Sequence, residues 1–176
     1  MENKKNLYMD RAFTLIELLV VVAIIGILAA IGVVSFSGFT DVAKVSATKA
    51  NHVQITKFII HETKKCQAGA TNIMVQENVS LRCQGLQAAS IIGYLTSYTF
   101  ADLKNVYNPN SNQAHLTHGL RQSNSYVFLN LKNWTDNDVG IVDLSEKSPN
   151  EIHVITCFKI PCSNSDNRIY NLINIE

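Results

Sequence analysis

The chain has 176 residues, 47% of them hydrophobic and 16% charged, with a formal net charge of +1. Soluble domains carry about 25% charged residues, so this chain is poor in charge; its length suits one domain, and its hydrophobicity excludes dominant disorder. With Gly 8 and Pro 3 it is no collagen-like or low-complexity fibre, and a balance so near neutral argues against a clamp that neutralises many phosphates.

The first twelve residues are polar, with Lys4, Lys5 and Arg11 set against Glu2 and Asp10. From Leu18 to Val34 none of the 17 residues is charged or polar, and Phe13, Leu15 and Ile16 extend the run upstream. As a helix, this run reaches the lower limit for spanning a bilayer, where roughly 17–25 residues are needed. The cations upstream predict a cytoplasmic N-terminus. Three readings are open: a cleaved signal peptide, a plain anchor helix, or a helix in which Glu17 has a task of its own. Glu17 is the single ionisable side chain in residues 12–34. An acid within a membrane segment costs about 2.5–3.5 kcal/mol and is functional by default. The plain alternative is an interfacial acid solvated by lipid headgroups.

The stretch Arg11-Ala12-Phe13-Thr14-Leu15-Ile16-Glu17-Leu18-Leu19-Val20-Val21-Val22-Ala23-Ile24-Ile25-Gly26 resembles the N-terminus of type IV prepilins and type II secretion pseudopilins. The resemblance covers about the first fifth of the chain. It implies that a prepilin peptidase cuts between Ala12 and Phe13 and that Phe13, the new N-terminus, is N-methylated. It implies that Glu17 is the family's glutamate, used in assembly. The expected protein is then a single-pass prepilin of the cytoplasmic membrane with its head outside the cytoplasm. It becomes a homopolymeric extracellular filament with the help of a pilus assembly machinery. Two departures stand out. Ala12 occupies the place where the family usually has Gly, and no Pro lies near Val34, the first being Pro109. Residues 1–12 hold three of the 15 Lys and Arg and two of the 14 Asp and Glu, so the remaining side chains sum to zero charge. That suits a subunit that packs against its own copies without long-range repulsion.

The expected organisation is a leader at 1–12, a hydrophobic membrane or filament-core half at 13–38, and a globular head at 39–176. Residues 39–65 read as a helical continuation, with Val42, Val45, Val53, Phe58, Ile59 and Ile60 at spacings of three and four. Joined to the apolar half this makes one helix of about 50 residues, roughly 80 Å long, half of it projecting from a small globule. Residues 66–124 form a variable excursion. There the alternation of Ile73, Val75, Val79, Leu81 and Cys83 suggests a strand, Phe100–Tyr107 a short helix, and Asn108-Pro109-Asn110-Ser111-Asn112 a turn. Residues 125–176 read as an antiparallel sheet of about four strands, at 125–132, 139–144, 152–158 and 168–175. Turn signals at Asp136-Asn137-Asp138 and Ser148-Pro149-Asn150 separate them. One face packs on the second half of the helix, giving an α+β, pilin-like fold.

Four cysteines, Cys66, Cys83, Cys157 and Cys162, follow the apolar segment and pair if that part is exported. Three connectivities exist. The local one, Cys66–Cys83 with Cys157–Cys162, is favoured, and its first bridge is worth about 3 kcal/mol by chain entropy. The second is similar to the C-terminal disulfide loop of pilins, though shorter. Zinc is the rival, but no C-x₂-C pair exists. His115 and His118 lack a third ligand, and Asp136-Asn137-Asp138 only weakly echoes a calcium loop, with Lys147 where the bidentate acid belongs. Asn164-Ser165-Asp166-Asn167 is better read as a turn. No metal and no cofactor is expected. No nucleophile elbow, phosphate loop or HExxH is present, so an enzyme is not expected. Tyr94, Tyr98, Phe100 and Tyr107 with Lys104 are of the types that stack on nucleic acid, but the dispersed basic residues leave nucleic acid unsupported. The reading is a structural pilin subunit whose fibre adheres, moves the cell or takes up DNA. Its rivals are a type II secretion pseudopilin and a membrane-anchored monomeric binding protein.

Overall fold

A computed structural model describes residues 13–76, 79–100, 103–109, 116–118 and 133–175. Helix α1 runs from Leu15 to Gln67, 53 residues without a proline. Glu17 stands in its first turn and Lys64 and Lys65 in its last, the arrangement the helix dipole favours. By its contacts the chain divides into two units, between Asp41 and Val42.

In the first unit, the described side chains of α1 as far as Val33 are all exposed, and they are apolar on every side apart from Glu17. A helix apolar all round belongs in a lipid bilayer or in a protein core. This one is long and apolar enough to cross a membrane, and none of its apolar window is buried within the chain.

In the second unit α1 has two faces. Thr48, His52, Ile55, Thr56, Ile59, Glu62 and Thr63 are buried. Their steps of three and four residues make one stripe. Val53, Lys57, Lys64 and Lys65 stay exposed. Ile55 and Ile59 enter a core completed by Val142, Leu144, Ile152 and Val154. Those four come from strands β4 (Val142–Ser148) and β5 (Glu151–Cys157). With β6 (Arg168–Asn174) they form an antiparallel meander. On β5, Ile152, Val154 and Thr156 are buried while Glu151, His153 and Ile155 are less so, as a sheet with one face on a core requires.

A hairpin of β1 (Asn72–Gln76) and β2 (Val79–Arg82) follows α1. Helix α2 (Ala88–Tyr94) continues into a π-helical turn at Leu95–Thr99. Strand β3 (Leu116–His118) lies beside β4, giving the order β3-β4-β5-β6. The disulfide Cys66–Cys83 ties the last turn of α1 to the end of the hairpin across 17 residues. Cys157–Cys162 closes a loop of five, and both its sulfurs pack with Trp134 in a second small core.

The α+β arrangement, a long N-terminal helix with antiparallel sheet, is the expected one. Some details differ. The alternating stretch after Cys66 is a hairpin rather than one strand. The helix expected at 100–107 lies earlier, in α2 and its π-helical turn, because Ala88, Ile91, Ile92 and Leu95 put one fully buried face on the core. Residues 103–107 are not helical. There the Asn105 side chain accepts the Tyr107 backbone N–H at 2.8 Å, and the Asn105 carbonyl accepts the Asn108 N–H at 3.2 Å. Such local side-chain bonds compete with the helix. Strand β3 runs parallel to β4, so the sheet is not antiparallel throughout. The strand expected at 125–132 lies outside the described residues.

The stripe generates a direct test. Ile59→Ala, at a fully buried position, should lower stability by about 2–5 kcal/mol. Val53→Ala, six residues earlier on the exposed side, should change it by less than about 0.5 kcal/mol. Urea unfolding of the detergent-solubilised chain measures both, and equal losses would contradict the stripe.

Candidate functional site

The start of α1 carries two of the expected site residues, Phe13 and Glu17, and joins Glu17 to Thr14. Phe13 is exposed and precedes Thr14, whose side chain and backbone engage Glu17. The Thr14 backbone N–H donates to Glu17 Oε2 at 2.9 Å, and the Thr14 hydroxyl donates to the same oxygen at 2.8 Å. The Glu17 backbone N–H donates back to Thr14 Oγ1 at 3.3 Å. This is a capping box, in which a Thr and an acid three residues on satisfy each other's backbone donors. The two residues thus serve N–H groups that the helix itself leaves without a partner. In lipid, where water cannot take that role, the service is worth more. Both Thr14 bonds end on Oε2, and Oε1 takes neither. Thr14 escaped the sequence reading, although the Thr-x-x-Glu spacing carries its signal. Ala12 lies outside the described residues.

The acidic run at Asp136–Asp138 is spent on the backbone. Asp138 Oδ2 accepts the Thr135 N–H at 2.8 Å, and Asp136 Oδ1 accepts the Cys162 N–H at 3.0 Å. Asn164 Oδ1 accepts the Asp166 N–H at 3.0 Å, closing a turn. Among the described residues, no three His, Cys, Asp or Glu side chains are grouped to hold a metal ion. His118 lies on β3, and His115 is outside the described residues.

Two hollows mark the second unit. One, of about 370 Å³, is lined by Phe58, Glu62, Lys65, Met74 and Tyr94 among others. Its carboxylate is committed. Glu62 Oε2 accepts the Met74 N–H at 2.8 Å, and Oε1 pairs with Lys65. Burial pushes this carboxyl up, but the Lys65 ammonium and the Met74 N–H together outweigh it and hold the group below the usual carboxylate range. The bond also explains the backbone of Met74, which sits in the left-handed region at φ 52°, where a non-glycine residue needs outside support. The other hollow, of about 510 Å³, is lined by Asn105, Tyr107, Asn108, Asp136 and Asn137 among others. Asn105 donates to the Val139 carbonyl at 2.8 Å, and the Tyr107 hydroxyl donates to the Phe158 carbonyl at 2.7 Å. Gly140, at φ 82°, permits this approach, since a Cβ there would run into the Asn105 side chain. The aromatics weighed for nucleic acid pack on their neighbours. Tyr94 and Tyr98 lie 5.1 Å apart, and Phe100 meets Phe58 edge-on at 5.5 Å.

Residues 8–33 match the family model of the prokaryotic N-terminal methylation motif, the type IV prepilin-like leader. No curated protein and no solved structure matches the chain. The motif and the apolar helix behind it fit a membrane-anchored precursor of the pilin or pseudopilin kind. Such a leader implies processing by a prepilin peptidase.

The capping box is testable apart from any function. Thr14→Val keeps the side-chain shape and removes the hydroxyl, and should cost the helix start about 1 kcal/mol. Amide hydrogen exchange in micelles should then speed up at Glu17 and Leu18 and stay unchanged at Ile59. Unaltered exchange at Glu17 would mean that the box is not formed.

Proposed function

We propose that the chain is a structural subunit of a type IV pilus-like filament. The observation that carries this reading is the Glu17 carboxylate, fixed one turn into an otherwise apolar helix, within the stretch that matches the methylation motif. The prepilin waits in the cytoplasmic membrane on the first part of α1, with residues 42–176 outside the cytoplasm. Prepilin peptidase cuts between Ala12 and Phe13, and Phe13 is N-methylated. The new amine stands about one helical turn from Glu17. In a stack of parallel helices offset along their axes, Glu17 of one subunit meets the Phe13 amine of the next while Leu, Ile and Val side chains pack around them. The pair neutralises two charges that lipid solvates badly. The subunit acts with copies of itself and with an assembly machinery, and it carries no catalytic role and no cofactor. Adhesion, movement and DNA uptake are all uses open to such a fibre.

A type II secretion pseudopilin shares the same N-terminal chemistry. The two disulfides, Cys66–Cys83 and Cys157–Cys162, favour a fibre on the cell surface, where reinforcement against an uncontrolled medium is useful. A monomeric membrane-anchored binding protein would keep its leader.

Two measurements test the reading. Intact mass of the mature protein should place its first residue at Phe13, with one added methyl group. A retained leader, or a cut beyond Ala30, would refute the processing step. Cells expressing only Glu17→Val should make a cleaved, membrane-resident subunit and no filaments. Removing one member of a buried pair leaves the other charge uncompensated, at about 3–5 kcal/mol per contact. Abundant filaments from that variant would remove Glu17 from assembly, as an interfacial acid requires.

A further inference from the structure

His52 lies on the buried stripe of α1 and is 1% exposed. Its ring bridges the helix to two strands. Nδ1 is 2.9 Å from Thr156 Oγ1 on β5, and Nε2 is 2.6 Å from Asn171 Oδ1 on β6. The partners fix the tautomer. An amide oxygen only accepts, so Nε2 carries the proton, and Nδ1 accepts the hydroxyl proton of Thr156. In its neutral form the ring is satisfied at both nitrogens, and the Thr156 hydroxyl spends its proton on Nδ1.

A second proton on Nδ1 would face the Thr156 oxygen. The hydroxyl must then turn away and find another acceptor at a site with no exposure. Among the described residues, those that share the ring's face on β5 and β6 offer no counter-charge. On β5 the residues of the same face are Ile152 and Val154, while Glu151 and His153 alternate to the other side. On β6 that face holds Ile169 and Ile173, with Arg168 and Tyr170 opposite. On α1 the ionisable residue one turn away is Lys49, a cation whose ammonium sits 4.1 Å from the Phe158 ring centroid.

We propose that His52 is an acid-sensitive latch, which holds α1 to β5 and β6 while neutral and releases them when protonated. Burial lowers its affinity for the proton below that of an ordinary histidine, and the bond to Asn171 offsets this only in part. An unfolded histidine titrates near pH 6.5. Below that value the unfolded chain binds one proton more than the folded chain, until the folded group also titrates. The folding equilibrium constant should fall about tenfold per pH unit in that window, and its slope with pH should owe nothing to His52 above it.

Urea unfolding of the full chain in detergent micelles, from about pH 7.5 to about pH 5, tests this. His52→Gln keeps a neutral donor for Asn171 and cannot titrate. Wild type and the His61→Gln and His153→Gln variants should show the acid loss, and His52→Gln should lose that tenfold step. A flat wild-type profile, or an unchanged slope in His52→Gln, overturns the proposal. Should His52→Gln fail to fold, the ring resonances of His52 in the wild-type chain decide the matter. A midpoint below about 6.5 supports the latch, and one at or above it refutes it.

Discussion

The structure depends on one constraint: a single uninterrupted helix has to satisfy two different surroundings in turn. Up to Val33 the described side chains of α1 are exposed and, Glu17 apart, apolar or small on every side. Water is a poor solvent for such a surface, at about 25 cal/mol for each Å² of apolar area. Beyond Asp41 the same helix carries a narrow buried stripe and a basic outer side. The sheet, the hairpin and α2 all supply the apolar surface that the stripe demands. Ile55 and Ile59 meet side chains from each of these elements in one core. Propensity alone does not hold a helix of this length in water; the surfaces it covers do.

The stripe is less apolar than a minimal core requires, and its polar members other than Thr48, whose buried hydroxyl oxygen has no hydrogen-bond partner among the described residues, are satisfied in their own ways. Thr56 and Thr63 donate their hydroxyls to the carbonyls of His52 and Ile59, one turn back, at 2.8 and 3.0 Å. Glu62 reaches out of the helix to the backbone of Met74, and His52 reaches to β5 and β6. An apolar stripe tolerates a strand sliding along it, because the hydrophobic effect has no direction. A hydrogen bond to one named atom does not tolerate sliding. Glu62 and His52 thus set the register of the hairpin and of the meander against α1. The nearby Cys66–Cys83 bridge limits how far the hairpin strays when that register is lost.

Legibility in the sequence followed the length of each pattern. The apolar run, the absence of proline before Pro109 and the acid at Glu17 were enough to read the long helix and its site. Strands β5 and β6 were legible because each repeats an alternation of about seven residues between turn residues, whereas β4, expected at 139–144, lies at Val142–Ser148, since Gly140 at φ 82° turns the chain just before it. Strand β3 has only three residues, too few for a period to show, and its parallel pairing has no local signal. Helix α2 was missed because its buried residues, Ala88, Ile91, Ile92 and Leu95, straddle Gly93, which reads as a breaker. The tie between Glu62 and Met74 was not legible, since its acceptor is an exposed-looking acid and its donor a backbone N–H twelve residues on. At the candidate site Glu17 was read as a cost of insertion. Its local partner, Thr14, was visible as Thr-x-x-Glu, and the apolar context drew attention away from it.

The capping box changes what the acid at Glu17 means. A carboxylate alone in an apolar helix has strong reason to seek any cation. Here two donors from Thr14 already stabilise one oxygen within the same chain, next to the positive end of the helix dipole. These contacts lower the cost of keeping the acid near the membrane surface, yet they come from neutral groups and leave the charge itself uncancelled. Only a cation removes it. In the proposed filament the sole cation made by maturation is the amine of Phe13, and that amine exists only after the leader is gone. The box and the cut therefore divide the work. On the proposed reading, Thr14 makes the waiting subunit tolerable as a monomer, and cleavage creates the group that makes the assembled state better. In the proposed filament a subunit with its leader still attached has the acid without the amine, so it lacks the contact on which the polymer rests, and that missing contact ties assembly to processing.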